Sequence, residues 1–149
     1  MKITLINTTF SELSRFPPVG CLSILQYLRK NGFEDCEFIN VDYYRYTVDE
    51  VVEKIVENET DILGISAVTS TTYLFTKDIS TKFKKLRPNS LIVLGGNMSA
   101  SAEIVLNKTK VDICVLGEGE KVFLNIVKKA KQTKNLIDYK DVPGIVFND

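Results

Sequence analysis

Short apolar runs alternate along this chain with longer segments whose apolar residues recur every three or four positions. Residues 2–7, 37–41, 62–65, 91–94 and 112–116 form the short runs; each is bounded by turn formers, and the pattern predicts strands. Leu22, Leu25, Tyr27 and Leu28 predict a helix between the first two, opened by Pro17-Pro18 and closed by Asn31-Gly32. Val48, Val51, Val52, Ile55 and Val56 give the apolar stripe of the next helix, and Thr47 with Glu50 stands at the spacing of a capping box. A third helix is predicted over residues 73–86, ended by Arg87-Pro88, and a shorter one over 99–106. The last runs from the Gly117-Glu118-Gly119-Glu120 turn to Lys131, and residues 144–147 read as a final strand.

Strand–helix units in unbroken succession predict one α/β domain over residues 1–149: a parallel sheet with helices on both faces and right-handed crossovers. The expected architecture is three-layered and doubly wound, flavodoxin-like or Rossmann-like, with five parallel strands in the order 2-1-3-4-5 and a possible extra edge strand at the C-terminus. In such sheets ligands bind outside the carboxyl ends of the strands, here expected above the first and third. The expected walls are the loop of residues 8–16, the hydroxyl cluster Ser66, Thr69, Ser70, Thr71 and Thr72, the Gly95-Gly96 turn, and the 117–120 turn. Thr71 or Thr72 is also expected to cap the following helix. The double glycine either lets a ligand lie against bare backbone or simply makes a tight turn. A side chain at Gly96 is expected to fill ligand space and to cost the fold little if φ is negative there.

Composition narrows the chemistry. Lys plus Arg and Asp plus Glu are 19 each, so no net field draws in nucleic acid or acidic lipid. No run of apolar residues is long enough to span a membrane, and a cytoplasmic location without nucleic-acid or membrane partners is expected. There is no histidine, which removes the commonest acid–base group and every Ser-His or Cys-His nucleophile. Cys21, Cys36 and Cys114 lie far apart without a Cys-x-x-Cys pair, so buried thiols are expected rather than a metal site. The 117–120 turn fails the dinucleotide fingerprint because position 122 is valine, and its glutamates repel phosphate. Asn7-Thr8 and Ser66 stand where a phospho-receiver needs carboxylates for magnesium. The loop after the first strand lacks the glycine of a flavin mononucleotide phosphate loop, so a flavin module is a weaker alternative.

Five motifs in order carry a resemblance. They are Pro17-Pro18-Val19-Gly20 leading into Leu25, Tyr27, Leu28 and Gly32; residues 61–66, Asp-Ile-Leu-Gly-Ile-Ser; Val93-Leu94-Gly95-Gly96; Asp112, Val115 and Gly117-Glu118-Gly119-Glu120; and Val142-Pro143-Gly144-Ile145-Val146. Together they resemble the N-terminal cobalamin-binding-type domain of radical S-adenosylmethionine enzymes. The resemblance implies a cobalamin-binding module, serving methyl transfer or radical chemistry done with a separate barrel. It places corrinoid contacts at Ser66, Ala67, Val68, Thr69, Gly95 and Gly96 and near Gly117, Glu118 and Gly119. Thr8 and Thr9 open the loop below the cobalt. The Asp-x-His-x-x-Gly motif of related cobalamin mutases is missing, the loop reading Thr8-Thr9-Phe10-Ser11-Glu12. S-adenosylmethionine and a 4Fe-4S cluster are implied only for a C-terminal or partner barrel, since this chain lacks the Cys-x-x-x-Cys-x-x-Cys motif. The other reading of the same fold is a non-catalytic scaffold that binds only another domain.

Overall fold

A computed structural model describes residues 1–9 and 16–149. The sheet has six strands in the order β2-β1-β3-β4-β5-β6. They are β1 (Ile3–Asn7), β2 (Cys36–Ile39), β3 (Ile62–Ser66), β4 (Leu91–Gly95), β5 (Ile113–Val115) and β6 (Ile145–Phe147). The first five pair in parallel, and β6 runs antiparallel beside β5 as the expected extra edge strand. The central run is therefore central, with β3 hydrogen-bonded to β1 on one side and β4 on the other.

Alternation along the strands divides the core. Ile6, Leu63, Ile65, Ile92 and Leu94 face α3 (Val48–Glu57), α4 (Tyr73–Leu86) and α5 (Ala102–Lys108). Ile3, Leu5, Ile62, Val93, Ile113 and Val115 face α1 (Val19–Lys30) and α6 (Gly119–Ala130). Burial on both faces is why these strands read as continuous apolar runs. The α3 capping box forms in full, Glu50 N–H donating to the Thr47 hydroxyl and Thr47 N–H to the Glu50 carboxylate.

Four local expectations change. The second strand stops at Ile39, and Val41 begins a single helical turn, α2 (Val41–Tyr44), because Asn40 Oδ1 accepts from Tyr43 N–H and from Asn7 Nδ2. Neither Thr71 nor Thr72 caps α4: the Thr72 hydroxyl donates to the Thr69 carbonyl, and the Thr71 hydroxyl pairs with that of Thr69 at 2.6 Å. A 3₁₀ turn over Asn97–Ser101 replaces the start of the 99–106 helix. Leu22, on the expected apolar face of α1, is half exposed, and Cys21 takes its place in the core.

Candidate functional site

All five parallel strands end at one edge, and a cavity of about 400 Å³ opens there between α1 and α6. Its floor is a register row of the sheet, Leu5–Gly64–Val93. Gly64 is needed: a Cβ there would lie 2.6 Å from Leu5 Cδ2 and 3.1 Å from Phe123 Cε2, so the Phe123 ring rests on bare strand backbone. Nearer the mouth stand Ser66, Gly95 and Val115, with Gly20, Cys21 and Ile24 of α1 on one wall and Gly117, Glu118, Gly119 and Glu120 on the other. The Ser23 hydroxyl donates to Glu120 Oε1 at 2.7 Å and ties α1 to α6 across the rim. The expected crevice above β1 and β3 also exists as a smaller hollow of about 260 Å³, lined by Asn7, Thr8, Phe16, Val19, Ser66 and Val68. It shares Gly20, Cys21 and Ser66 with the larger cavity, which reaches over β4 and β5 because Gly95 and Gly117 place no side chain there.

The two adjacent glycines have different duties. At Gly95 an added Cβ would meet nothing within 4 Å, so its space belongs to the cavity. Gly96 has φ +90°, and a Cβ would sit 2.5 Å from the Ala67 carbonyl oxygen. The expectation that the fold tolerates a side chain at Gly96 is overturned; it rested on a negative φ. Gly117 is also left-handed, φ +80°, with open space around it.

The other residues named from the sequence divide between the hollows and the framework. Ser66, Gly95, Gly96, Gly117, Glu118 and Gly119 line the cavity, and Thr8 and Val68 line the smaller hollow. The Thr8 hydroxyl is engaged, donating to the Ser66 carbonyl at 3.1 Å. Ala67 is fully buried and staples two turns, its N–H donating to the Gly95 carbonyl and its own carbonyl accepting from Met98. Thr69 bonds within its own turn, and Thr9, half-buried, lines neither hollow. The rest of the predicted loop wall, residues 10–15, lies outside the described residues. Leu5, Gly64, Val93, Ile24 and Phe123 were missed; the signal for the floor is that three of them sit two residues before the strand ends Asn7, Ser66 and Gly95.

The polar groups of the site are few. Burial pushes the Cys21 thiol up to about 11, against a hydrogen bond with Ser66 that lowers it, so the thiol at the cavity wall stays protonated at neutral pH. No group of three His, Cys, Asp or Glu that could hold a metal ion occurs among the described residues. The donor set of the cavity is one hydroxyl, one neutral thiol, two carboxylates and glycine backbone over an apolar floor. Such a set holds an organic ligand by shape and a few polar contacts.

Fold and site together define a doubly wound α/β domain with a ligand-sized cavity at the carboxyl edge of its sheet. A family model described as the B12 binding domain matches residues 11–127, and the chain belongs to that family. Its similar curated relatives include the anaerobic magnesium-protoporphyrin IX monomethyl ester cyclase of Rubrivivax gelatinosus, 29% identical over 134 residues, covering 89% of this chain and 24% of the relative. The enzyme of the same name from Cereibacter sphaeroides is 28% identical, with 90% and 22% covered. This chain thus spans about a quarter of the length of those relatives. Among solved structures, the radical S-adenosylmethionine methyltransferase TsrM from Kitasatospora setae, with cobalamin and a 4Fe-4S cluster bound, superposes with TM-score 0.77 at 17% identity, covering 100% of this chain and 28% of that one. OxsB, a cobalamin-dependent S-adenosylmethionine radical enzyme with aqua-cobalamin bound, superposes with TM-score 0.83 at 21% identity, covering 99% and 21%. At these identities the likeness is one of fold. No helix among the described residues is long and apolar enough to cross a membrane.

Proposed function

We propose that this chain binds cobalamin at the carboxyl edge of its sheet, as the corrinoid-holding part of a cytoplasmic radical S-adenosylmethionine system. The observation that carries the reading is the cavity between α1 and α6, in a chain of the B12-binding family. The residues present fit the group. A volume of about 400 Å³ suits the nucleotide end of a corrinoid, and the open faces of Gly95 and Gly117 leave backbone against which it can lie. The macrocycle, too large for the cavity, is left to the rim, where Phe16, Val19, Val68 and Leu116 are exposed.

In this reading each residue has a passive task. Leu5, Val93, Val115 and Phe123 exclude water from the tail; Ser66 supplies a hydroxyl; Gly95 and Gly117 keep the approach clear; Gly96 lets the strand-end turn close on Ala67 and Gly119 lets α6 approach Ile24; Glu118 stands at the mouth as an acceptor. Ala67 and Thr69 shape the β3 turn, and Thr8, Thr9 and Val68 border the side toward the corrin. Bound cobalamin supplies methyl-transfer or radical chemistry. S-adenosylmethionine and the 4Fe-4S cluster belong to a barrel in the same full-length protein or in a partner, for which the much longer relatives speak. The substrates of those relatives remain theirs.

With no histidine in these 149 residues, none of them can offer an imidazole to the cobalt. Adding hydroxocobalamin to the chain and passing it through gel filtration should leave a corrinoid spectrum with the protein. Electron paramagnetic resonance of the cob(II)alamin form should lack coupling from a protein imidazole nitrogen. No retained corrinoid would favour the scaffold reading, and imidazole coupling would contradict the assigned geometry.

A further inference from the structure

The cavity's polarity is graded, and the gradient bears on which corrinoids fit. Corrinoids differ in the base at the end of the nucleotide tail: some carry a benzimidazole, others a purine such as adenine. The inner end of the cavity, formed by the row Leu5–Gly64–Val93 with the Phe123 ring packed on Gly64 and Val115 beside it, offers no side-chain donor or acceptor. The backbone acceptors at the ends of β3 and β4 are already engaged. The Ser66 carbonyl accepts from the Thr8 hydroxyl at 3.1 Å, that of Gly95 from Ala67 N–H at 3.0 Å, and that of Gly96 from Ser99 N–H at 3.0 Å. Glu120 at the rim accepts from Ser23.

The geometry points to a slot that selects the base: this chain prefers corrinoids whose tail ends in a benzimidazole over those ending in a purine. The inference rests on the corrinoid reading above. Adenine brings an exocyclic amine and several ring nitrogens that would lose water at the inner end, where no side chain can pair with them, since the Ser66 hydroxyl and the Glu118 carboxylate stand nearer the mouth. A benzimidazole presents hydrocarbon over most of its ring. Unpaired polar groups in a dry site are what reject a ligand of nearly the right shape, whereas added hydrocarbon is tolerated if it fits.

The test compares three probes on the 149-residue chain by equilibrium dialysis: cobalamin, the adenine-bearing cobamide, and cobinamide, which has no nucleotide. Cobalamin should bind about 10- to 100-fold more tightly than the adenine form, the range over which an apolar pocket discriminates against a more polar ligand of similar shape. Cobinamide should bind more weakly than cobalamin. Equal affinity for the cobalamin and adenine forms, both above cobinamide, would overturn base selection while leaving a tail site. Equal affinity for all three would overturn the slot itself. Binding of none would overturn the corrinoid reading and this inference with it. Val115→Thr places a hydroxyl on the apolar wall with little change of shape and should narrow the cobalamin-to-adenine ratio. A ratio unchanged in a variant that melts as the parent does would contradict the hydrogen-bond account.

Discussion

Gly95 and Gly96 show how adjacent identical residues can serve different ends. Gly96→Val would force a left-handed backbone and a 2.5 Å clash onto the Ala67 carbonyl, so it should destabilise the fold by about 1–3 kcal/mol whatever the ligand. Gly95→Val meets open space in a strand that suits valine, so it should leave the Tm near the parent's and cut cobalamin affinity at least ~10-fold by filling tail space. Thermal melts paired with cobalamin titrations check both, and a Gly95→Val variant of parental affinity would contradict the site. Cys21 gives a pH prediction. Its ordinary thiol value of 9.0 is raised by burial to about 11, so the stability it contributes is whole below pH 9 and is lost as pH rises through 11. Burial raises Cys36 and Cys114 as well, so the parent's Tm should fall across this window and Cys21→Ala should flatten the slope only in part. A slope identical in parent and variant would contradict the placement of Cys21.

Among elements, β3 does the most positioning. Its alternating residues anchor both cores, and Gly64 admits Phe123 to the floor of the cavity. Gly64→Ala should cost about 1–3 kcal/mol, the usual cost of overpacking, because both Leu5 and Phe123 are buried and must shift. Urea unfolding measures it, and an unchanged midpoint would mean that the ring does not lie on the strand. β3 was legible in the sequence because burial on both faces left an unbroken apolar run. So was α3, whose capping box is local chemistry between Thr47 and Glu50. Where tertiary hydrogen bonds compete with local pattern, legibility failed. Asn40 draws the chain into α2 by bonding Asn7 of another strand, and Thr72 turns its hydroxyl back to Thr69 rather than capping α4. The strand-end residues of the site were readable because parallel strands put their ends at one edge. The floor was not, since Leu5, Gly64 and Val93 become a row only through register across three strands.

At the scale of the molecule, the two sheet edges compete. The amino-terminal edge carries a groove of about 530 Å³, larger than the cavity between α1 and α6, lined by Lys84, Lys131, Lys134, Asp112 and Tyr139. Size alone would choose it. Two of its lysines are engaged, however, with Lys84 2.8 Å from Asp112, whose carboxylate also accepts from Ile92 N–H, and with Lys131 over the Phe33 ring. The carboxyl edge instead has bare glycine backbone over an apolar floor, which is what a ligand bound largely by shape requires. A chain of 16.8 kDa permits the direct comparison by amide nuclear magnetic resonance during titration with cobalamin. A site at the carboxyl edge should concentrate the shifts at Ser66, Gly95, Gly117 and Gly119. Shifts confined to Ser90, Lys131 and Lys134 at the opposite edge, or none at saturating cobalamin, would contradict it.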